Sequence, residues 1–131
     1  MNNLNKIMYL LDSNILRHFG EGHENLRLHL QRREGAEIAL PSVVVAEMLR
    51  GRSEFALKAS PSEAPRTHRF LQEALDILSK FNMLLFDEKS AQKLEYLRRK
   101  HKARKNYADM MISTMALAGK HIVVTLEHKG F

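Results

Sequence analysis

Three acidic residues lie in strongly apolar surroundings, where an ordinary surface carboxylate would have polar neighbours. Asp12 follows the segment MYLL, Glu47 lies within SVVVAEMLRG, and Asp109 lies within NYADMMISTMALAG. Each has an ordinary structural explanation when taken singly: Asp12 as a helix cap, Glu47 as an exposed helix position, and Asp109 as a first-turn acid favoured by the helix dipole. The chemistry therefore depends on whether the fold brings the three together.

Carboxylates that converge need a partner of opposite charge. Two like charges about 4 Å apart repel by roughly 4 kcal/mol at an effective dielectric constant of about 20, so such a group requires protons or a cation. Hard oxygen ligands are the ones that Mg²⁺ and Mn²⁺ prefer. A metal held in this way can activate a water and stabilise charge on phosphoryl oxygens, which suits phosphodiester hydrolysis without a covalent protein intermediate.

The apolar segments predict strands that alternate with helices. The run Ile7 to Leu11 stops at Asp12-Ser13-Asn14, which is typical of a buried parallel strand followed by helix-capping residues. We expect Ser42 to cap a helix that ends at Gly51, and Gly119 to close the helix that carries Asp109. Further strands are predicted over 37–40, 83–86 and 122–125, and further helices over 23–33, 70–80, from 87 or 88 into the basic segment, and from 106 or 107 to 118.

This alternation predicts an α/β fold of three layers, α/β/α, with a central, mainly parallel sheet of four or five strands. In such sheets, sites lie at the carboxyl ends of the strands, which is where Asp12 falls. The chain has 131 residues, 44% of them hydrophobic, which suits one domain over residues 1–131 with one buried core.

Composition excludes several classes of site. The chain has no cysteine, so it has no disulfide framework, thiolate zinc site or cysteine nucleophile. The seven histidines do not fall into a known zinc motif, and no glycine-rich phosphate loop is present. The formal charge of +6 favours a polyanionic partner such as nucleic acid.

Nothing in the sequence predicts export or a membrane. The start, MNNLNKIMYLLD, lacks the long apolar core and the cleavage site of a signal peptide. The apolar stretches are far shorter than the ~20 residues that cross a bilayer. We therefore expect a cytoplasmic protein, with no membrane partner.

Four segments in order, 10–15, 42–51, 109–113 and 122–125, resemble the successive motifs of PIN domains of the VapC toxin type. The resemblance covers nearly the whole chain. It implies a PIN-like fold and a metal-dependent endoribonuclease, with Mg²⁺ or Mn²⁺ held by Asp12, Glu47 and Asp109. It also implies a supporting role for Ser13, whose hydroxyl would orient a ligand or a metal-bound water.

The sequence departs from the family pattern near its end. Many relatives have a fourth acid shortly after the last strand, often just before Phe. Here Gly130 precedes Phe131, and Glu127 is the nearby acid. Glu127 either supplies the fourth metal ligand from a slightly different place or is a solvated loop residue.

A basic segment precedes the helix that carries Asp109. We predict that it binds RNA phosphates and offsets the repulsion between the acids and the RNA backbone; the alternative is a solvated helix end. The predicted RNA-binding residues are Arg98, Arg99, Lys102, Arg104 and Lys105. Arg17, Arg50 and Arg52 are weaker candidates.

The resemblance also implies partners: a structured RNA such as tRNA as substrate, a VapB-like antitoxin, and a second copy of the chain in a homodimer. Two alternatives stay open from sequence. One is a catalytically degenerate PIN domain that binds RNA or protein without cutting, for which Gly130 is the best support. The other is a DNA nuclease, because the same acidic site serves both polymers and only a 2′-hydroxyl contact separates them.

Overall fold

The structure is a computed structural model that describes residues 7–20, 37–100 and 107–124, with the side chains of 17–20 excepted. The described strands are β1 (Met8–Leu11), β2 (Glu37–Pro41), β3 (Asn82–Leu84) and β4 (Ile122–Val124). The described helices are α1 (Ser13–Gly20), α2 (Ser42–Lys58), α3 (Ala64–Leu78), α4 (Glu88–Lys100) and α5 (Tyr107–Gly119). The helix predicted over 23–33 lies outside the described residues.

The four strands form one sheet in the order β3-β2-β1-β4, and every pair is parallel. Tyr9 of β1 lies beside Ile38 of β2 on one side and Ile122 of β4 on the other. This confirms the predicted parallel sheet. The carboxyl ends of β1, β2 and β4 therefore share one edge, called here the carboxyl edge, and Asp12 follows β1 at that edge.

Adjacent residues of β1 are buried on opposite faces of the sheet, which gives the three predicted layers. Leu11 belongs to a buried cluster with residues of β2, α1 and α2 and with Ile112 of α5, and Leu10 belongs to a second cluster with Ala116 of α5. The first, called the Leu11 cluster, consists of Leu11, Ile15, Leu16, Leu40, Val44 and Ile112. The second consists of Leu10, Ala39 and Ala116.

Helix α2 differs from its prediction at both ends. It continues through Gly51 to Lys58, because Gly51 costs only about 0.5–1 kcal/mol in a helix interior and later residues such as Ala56 are buried. Ser42 is not the cap: Pro41 holds that position in an extended conformation. The Ser42 hydroxyl instead accepts a hydrogen bond from the backbone N–H of Phe86 at 3.2 Å.

Strand β3 ends at Leu84 rather than at Phe86, because the residues beyond it form other hydrogen bonds. The Phe86 amide donates to Ser42, and the Asp87 carboxylate accepts from the Ser90 backbone N–H at 2.9 Å. The latter bond caps α4 and lowers the pKa of Asp87. Helix α4 therefore starts where the sequence predicted, at Glu88.

Helices α4 and α5 are antiparallel, and two contacts fix their direction relative to the sheet. The Arg98 guanidinium at the end of α4 lies 5.4 Å from the ring centroid of Tyr107 at the start of α5. Just beyond the end of α5, His121 Nδ1 accepts a hydrogen bond from the Met8 backbone N–H at 3.1 Å, at the amino end of β1. The start of α5 therefore lies towards the carboxyl edge.

In the described part of the chain, no helix is long and apolar enough to cross a membrane.

Candidate active site

Asp12 is fixed at the carboxyl edge by three hydrogen bonds. Its backbone N–H donates to the Val124 carbonyl at 3.3 Å, and its own carbonyl accepts from the Leu16 N–H at 3.1 Å. One carboxylate oxygen, Oδ1, accepts from the Ile15 N–H at 3.0 Å and so caps α1. The predicted capping role is confirmed. The other oxygen has no hydrogen-bond partner among the described residues, so it is available to a ligand.

Glu47 lies one helical turn beyond Val44 of the Leu11 cluster. Residues three apart on a helix are neighbours on one face, and Val44 is fully buried whereas Glu47 is exposed. Within the described residues, the Glu47 carboxylate makes no hydrogen bond or ion pair. It lines an open pocket of about 260 Å³ together with Ser13, Met48, Gly51 and Arg52. The structure thus places the predicted residues Ser13 and Glu47 at one pocket.

Asp109 lies in the first turn of α5, three residues before Ile112 of the Leu11 cluster. It is exposed, and its carboxylate has no partner among the residues that the structure describes. Because α5 starts towards the carboxyl edge, Asp109 lies at the same end of the sheet as Asp12.

The three acids thus extend from three separate elements around one buried cluster. Asp12 directly follows Leu11, and Glu47 and Asp109 each lie one turn from a cluster residue. In the described ranges 7–20, 37–100 and 107–124, no three His, Asp or Glu side chains stand close enough together to hold a metal ion. The backbone places Asp12 and Asp109 towards the carboxyl edge, but neither lines the pocket that Ser13 and Glu47 share, so the described side chains do not form a shared coordination shell.

The sequence matches the PIN domain family over residues 9–130. The chain belongs to the PIN domain family. Such domains are typically nucleases and generally use divalent metal ions. The oxygen-only donor set of Asp12, Glu47 and Asp109 fits such an ion in its chemistry. A comparison with curated proteins gave no significant match.

Solved structures of low sequence identity share the fold. One is a chain of VapBC2 from Rickettsia felis, in a structure bound to a promoter DNA fragment. It is 22% identical with a TM-score of 0.66, and the match covers 92% of this chain and 100% of that chain. A chain of DNA-bound VapBC from Salmonella typhimurium is 20% identical with a TM-score of 0.66, covering 91% and 86%. A chain of VapBC-1 from nontypeable Haemophilus influenzae is 16% identical with a TM-score of 0.66, covering 94% and 89%. The predicted PIN fold is confirmed, and these three solved structures are of VapBC proteins.

The basic segment reaches the site end of the PIN domain. Arg98, Arg99 and Lys100 form the exposed last turn of α4. The contact of Arg98 with Tyr107 places this turn beside the start of α5, where Tyr107 lies two residues before Asp109. The other predicted RNA-binding residues, Lys102, Arg104 and Lys105, lie outside the described residues, as do Glu127, Gly130 and Phe131.

Arg52 is the residue that sequence reasoning undervalued. It shares the pocket with Ser13 and Glu47, and its Nε atom is buried without a hydrogen-bond partner in the described structure. The sequence indicated Arg52 only as a weaker RNA-binding candidate, because the contact that orients it, with Phe70, comes from another helix.

Proposed function

We propose that this PIN domain is a metal-dependent endoribonuclease that hydrolyses RNA phosphodiester bonds with water, and that it is the toxin component of a toxin–antitoxin pair. The observation that supports it best is the placement of Asp12, Glu47 and Asp109 on three elements around the Leu11 cluster. Each acid directly follows a residue of this cluster or lies one turn from one, so a metal site there would draw its ligands from three separate parts of the chain.

In this proposal, Asp12, Glu47 and Asp109 hold Mg²⁺ or Mn²⁺, with Glu127 as a further ligand. The bound ion would supply an activated water and would neutralise charge on the phosphoryl oxygens. Asp12 anchors the site because its Oδ1 is already fixed by the Ile15 N–H. Ser13, the next residue and the first of α1, lines the pocket beside Glu47, and in this proposal its hydroxyl orients a ligand or a metal-bound water.

The basic segment supplies the attraction that an acidic site needs to bind a polyanion. Arg98 and Arg99 extend from the end of α4 near the start of the helix that carries Asp109, and Lys102, Arg104 and Lys105 follow in sequence. Contacts of this kind add affinity that falls with salt and carry no sequence information. The substrate class we propose is structured RNA, including tRNA.

The partners proposed are a VapB-like antitoxin and a second copy of the chain in a homodimer, in a cytoplasmic setting. Their support is the similarity to chains from three VapBC complexes. In this proposal the antitoxin holds the nuclease inactive by occupying the substrate groove.

The direct test is incubation of antitoxin-free protein with a pool of structured RNAs, including tRNAs, in Mg²⁺ or Mn²⁺. We expect endonucleolytic products that vanish in EDTA and leave single-stranded DNA of matched sequence intact. Cleavage of the DNA at the same rate would contradict the ribonuclease proposal and favour a DNA nuclease. Cleavage that persists in EDTA would contradict the metal-dependent site.

A second candidate function is a degenerate PIN domain that binds RNA or protein without cutting. One observation favours it: among the described residues no three potential ligands form a group that could hold a metal. A folded protein that binds RNA tightly and cuts none of the pool would select this alternative.

A further inference from the structure

Arg52 has unused hydrogen-bonding capacity beside the candidate catalytic acids. Its side chain is half-buried on α2, and its Nε is shielded from water without an acceptor among the described residues. Most buried polar groups in folded proteins are bonded, so an unbonded one calls for an explanation, and a bound water, ion or ligand is one. The terminal Nη groups also make no hydrogen bond or ion pair among the described residues, and unlike Nε they are reached by solvent, so they are the groups that an incoming anion would contact.

An aromatic ring holds the guanidinium in place. The Arg52 Cζ atom lies 5.9 Å from the centroid of Phe70 on α3. A guanidinium that lies over an aromatic ring is restricted in orientation, while its in-plane N–H groups stay available to a bidentate acceptor. Phe70 also contacts Arg66, at 5.2 Å, but Arg66 is already paired with Glu63 at 2.8 Å.

The pocket itself favours a phosphate as the acceptor. Arg52 lines it together with Ser13 and Glu47, yet Arg52 and Glu47 form no ion pair within 4.0 Å in the described structure. The carboxylate would repel an incoming phosphate, and a cation at the same pocket offsets that repulsion. Arg50, two residues earlier, differs in each respect: its side chain is 82% exposed, and it pairs with Glu54 at 4.0 Å.

We propose that Arg52 binds a phosphate of the RNA backbone next to the bond that is cut, and thereby positions the strand against Asp12 and Glu47. The inference rests on the proposed nuclease function for its substrate. Arg52 is a substrate-binding residue in this account, distinct from the exposed basic segment at the end of α4.

The test is equilibrium binding of a structured RNA by non-cleaving protein, Asp12→Asn in EDTA, over a range of salt concentrations. We expect Arg52→Gln to raise Kd about tenfold and to reduce the slope of log Kd against log salt by about one, because one phosphate contact is lost. Arg50→Gln, in the same background, should change both quantities less, because Arg50 is exposed and already paired with Glu54. Equal Kd and slope for a folded Arg52→Gln protein would overturn the inference.

Arg52→Lys tests the same contact if Arg52→Gln does not fold. It keeps the charge, so the salt slope should be retained, while affinity falls about threefold because the planar fork is lost. Wild-type affinity of the Lys variant would overturn the inference. Cleavage assays of the protein with Asp12 intact separate the two proposals. RNA binding that depends on Arg52, without any cutting, would refute the nuclease. Cutting that does not depend on Arg52 would refute this inference alone.

Discussion

Asp12 and Ile15 are joined by a hydrogen bond of 3.0 Å, in which the Ile15 N–H donates to the Asp12 carboxylate. The same side chain therefore caps α1 and occupies the carboxyl edge, and substitutions can separate the two roles. Asn caps helices about as well as Asp, whereas Ala costs about 1 kcal/mol at such a position.

We expect Asp12→Asn to abolish cleavage while keeping the free energy of unfolding near that of the wild type. Asp12→Ala should abolish cleavage and also lower the free energy of unfolding by about 1 kcal/mol, as the cap is lost. Urea denaturation of the three proteins and cleavage of one RNA measure both effects. If Asn and Ala lowered the free energy of unfolding equally, the contribution of Asp12 to stability would not come from the helix cap.

Two glycines in helices should respond oppositely to alanine. A Cβ on Gly119 would collide with the His121 ring, lying 2.6 Å from Cδ2 and closer still to Nε2, whereas a Cβ on Gly51 would meet nothing within 4 Å. We expect Gly119→Ala to destabilise the protein by about 1–3 kcal/mol through overpacking. Gly51→Ala should stabilise it by about 0.5–1 kcal/mol because alanine restricts the unfolded chain. Thermal melts with opposite shifts would confirm this, and two shifts of the same sign would contradict it.

His121 should make the protein less stable in mild acid. Burial lowers the pKa of His121 below its ordinary 6.5, an effect that the nearby Asp87 charge partly opposes. Between the folded and the ordinary pKa, the unfolded chain binds the proton and the folded one does not, so stability falls as pH drops below about 6.5. Protonation also removes the acceptor that Nδ1 offers to the Met8 N–H.

The measurement is the melting temperature at about pH 7.5 and about pH 5.5 for the wild type and for His121→Gln. We expect the acid-induced decrease to be smaller in the variant, since the titrating group is gone. His68, on α3 and exposed, gives the matched control, and His68→Gln should retain the full decrease. An unchanged decrease in His121→Gln would assign the acid sensitivity to other groups.

The end of α4 should contribute to RNA binding through charge alone. We expect Arg98→Gln with Arg99→Gln to weaken binding of all RNAs alike and to reduce the salt slope by about two. The control pair Arg66→Gln with Arg69→Gln removes the same charge from α3 and should change the slope less. Equal losses in the two pairs would indicate a general effect of net charge.

The parts of the fold that depend on local pattern were predictable from sequence. The apolar run Ile7 to Leu11 is followed by helix-capping residues that begin at Asp12. This pattern predicted both the strand and the position of Asp12 at the carboxyl edge. The helix end predicted at Gly51 was wrong, because packing of the residues beyond Gly51 outweighs the small free-energy cost of a glycine within a helix. Ser42 gave a wrong cap because its hydroxyl is engaged by Phe86, 44 residues away.

Each predicted acid follows or neighbours a core residue, and core residues are recognisable from hydrophobic pattern. Arg52 was undervalued because its orientation depends on Phe70 of another helix, a tertiary contact that no local spacing reports. The final positions of the Glu47 and Asp109 side chains also depend on rotamers of exposed residues, which sequence pattern does not specify.

The central claim is that Asp12, Glu47 and Asp109 act as one site, and single-turnover cleavage with Mn²⁺ tests it most directly. We expect Asp12→Asn, Glu47→Gln and Asp109→Asn each to reduce the rate to the level of wild type in EDTA. The double variant Asp12→Asn with Asp109→Asn should be no slower than either single variant, because residues that act as a unit are not additive. Wild-type cleavage by a folded Asp109→Asn protein would contradict the account, since it would remove α5 from the site.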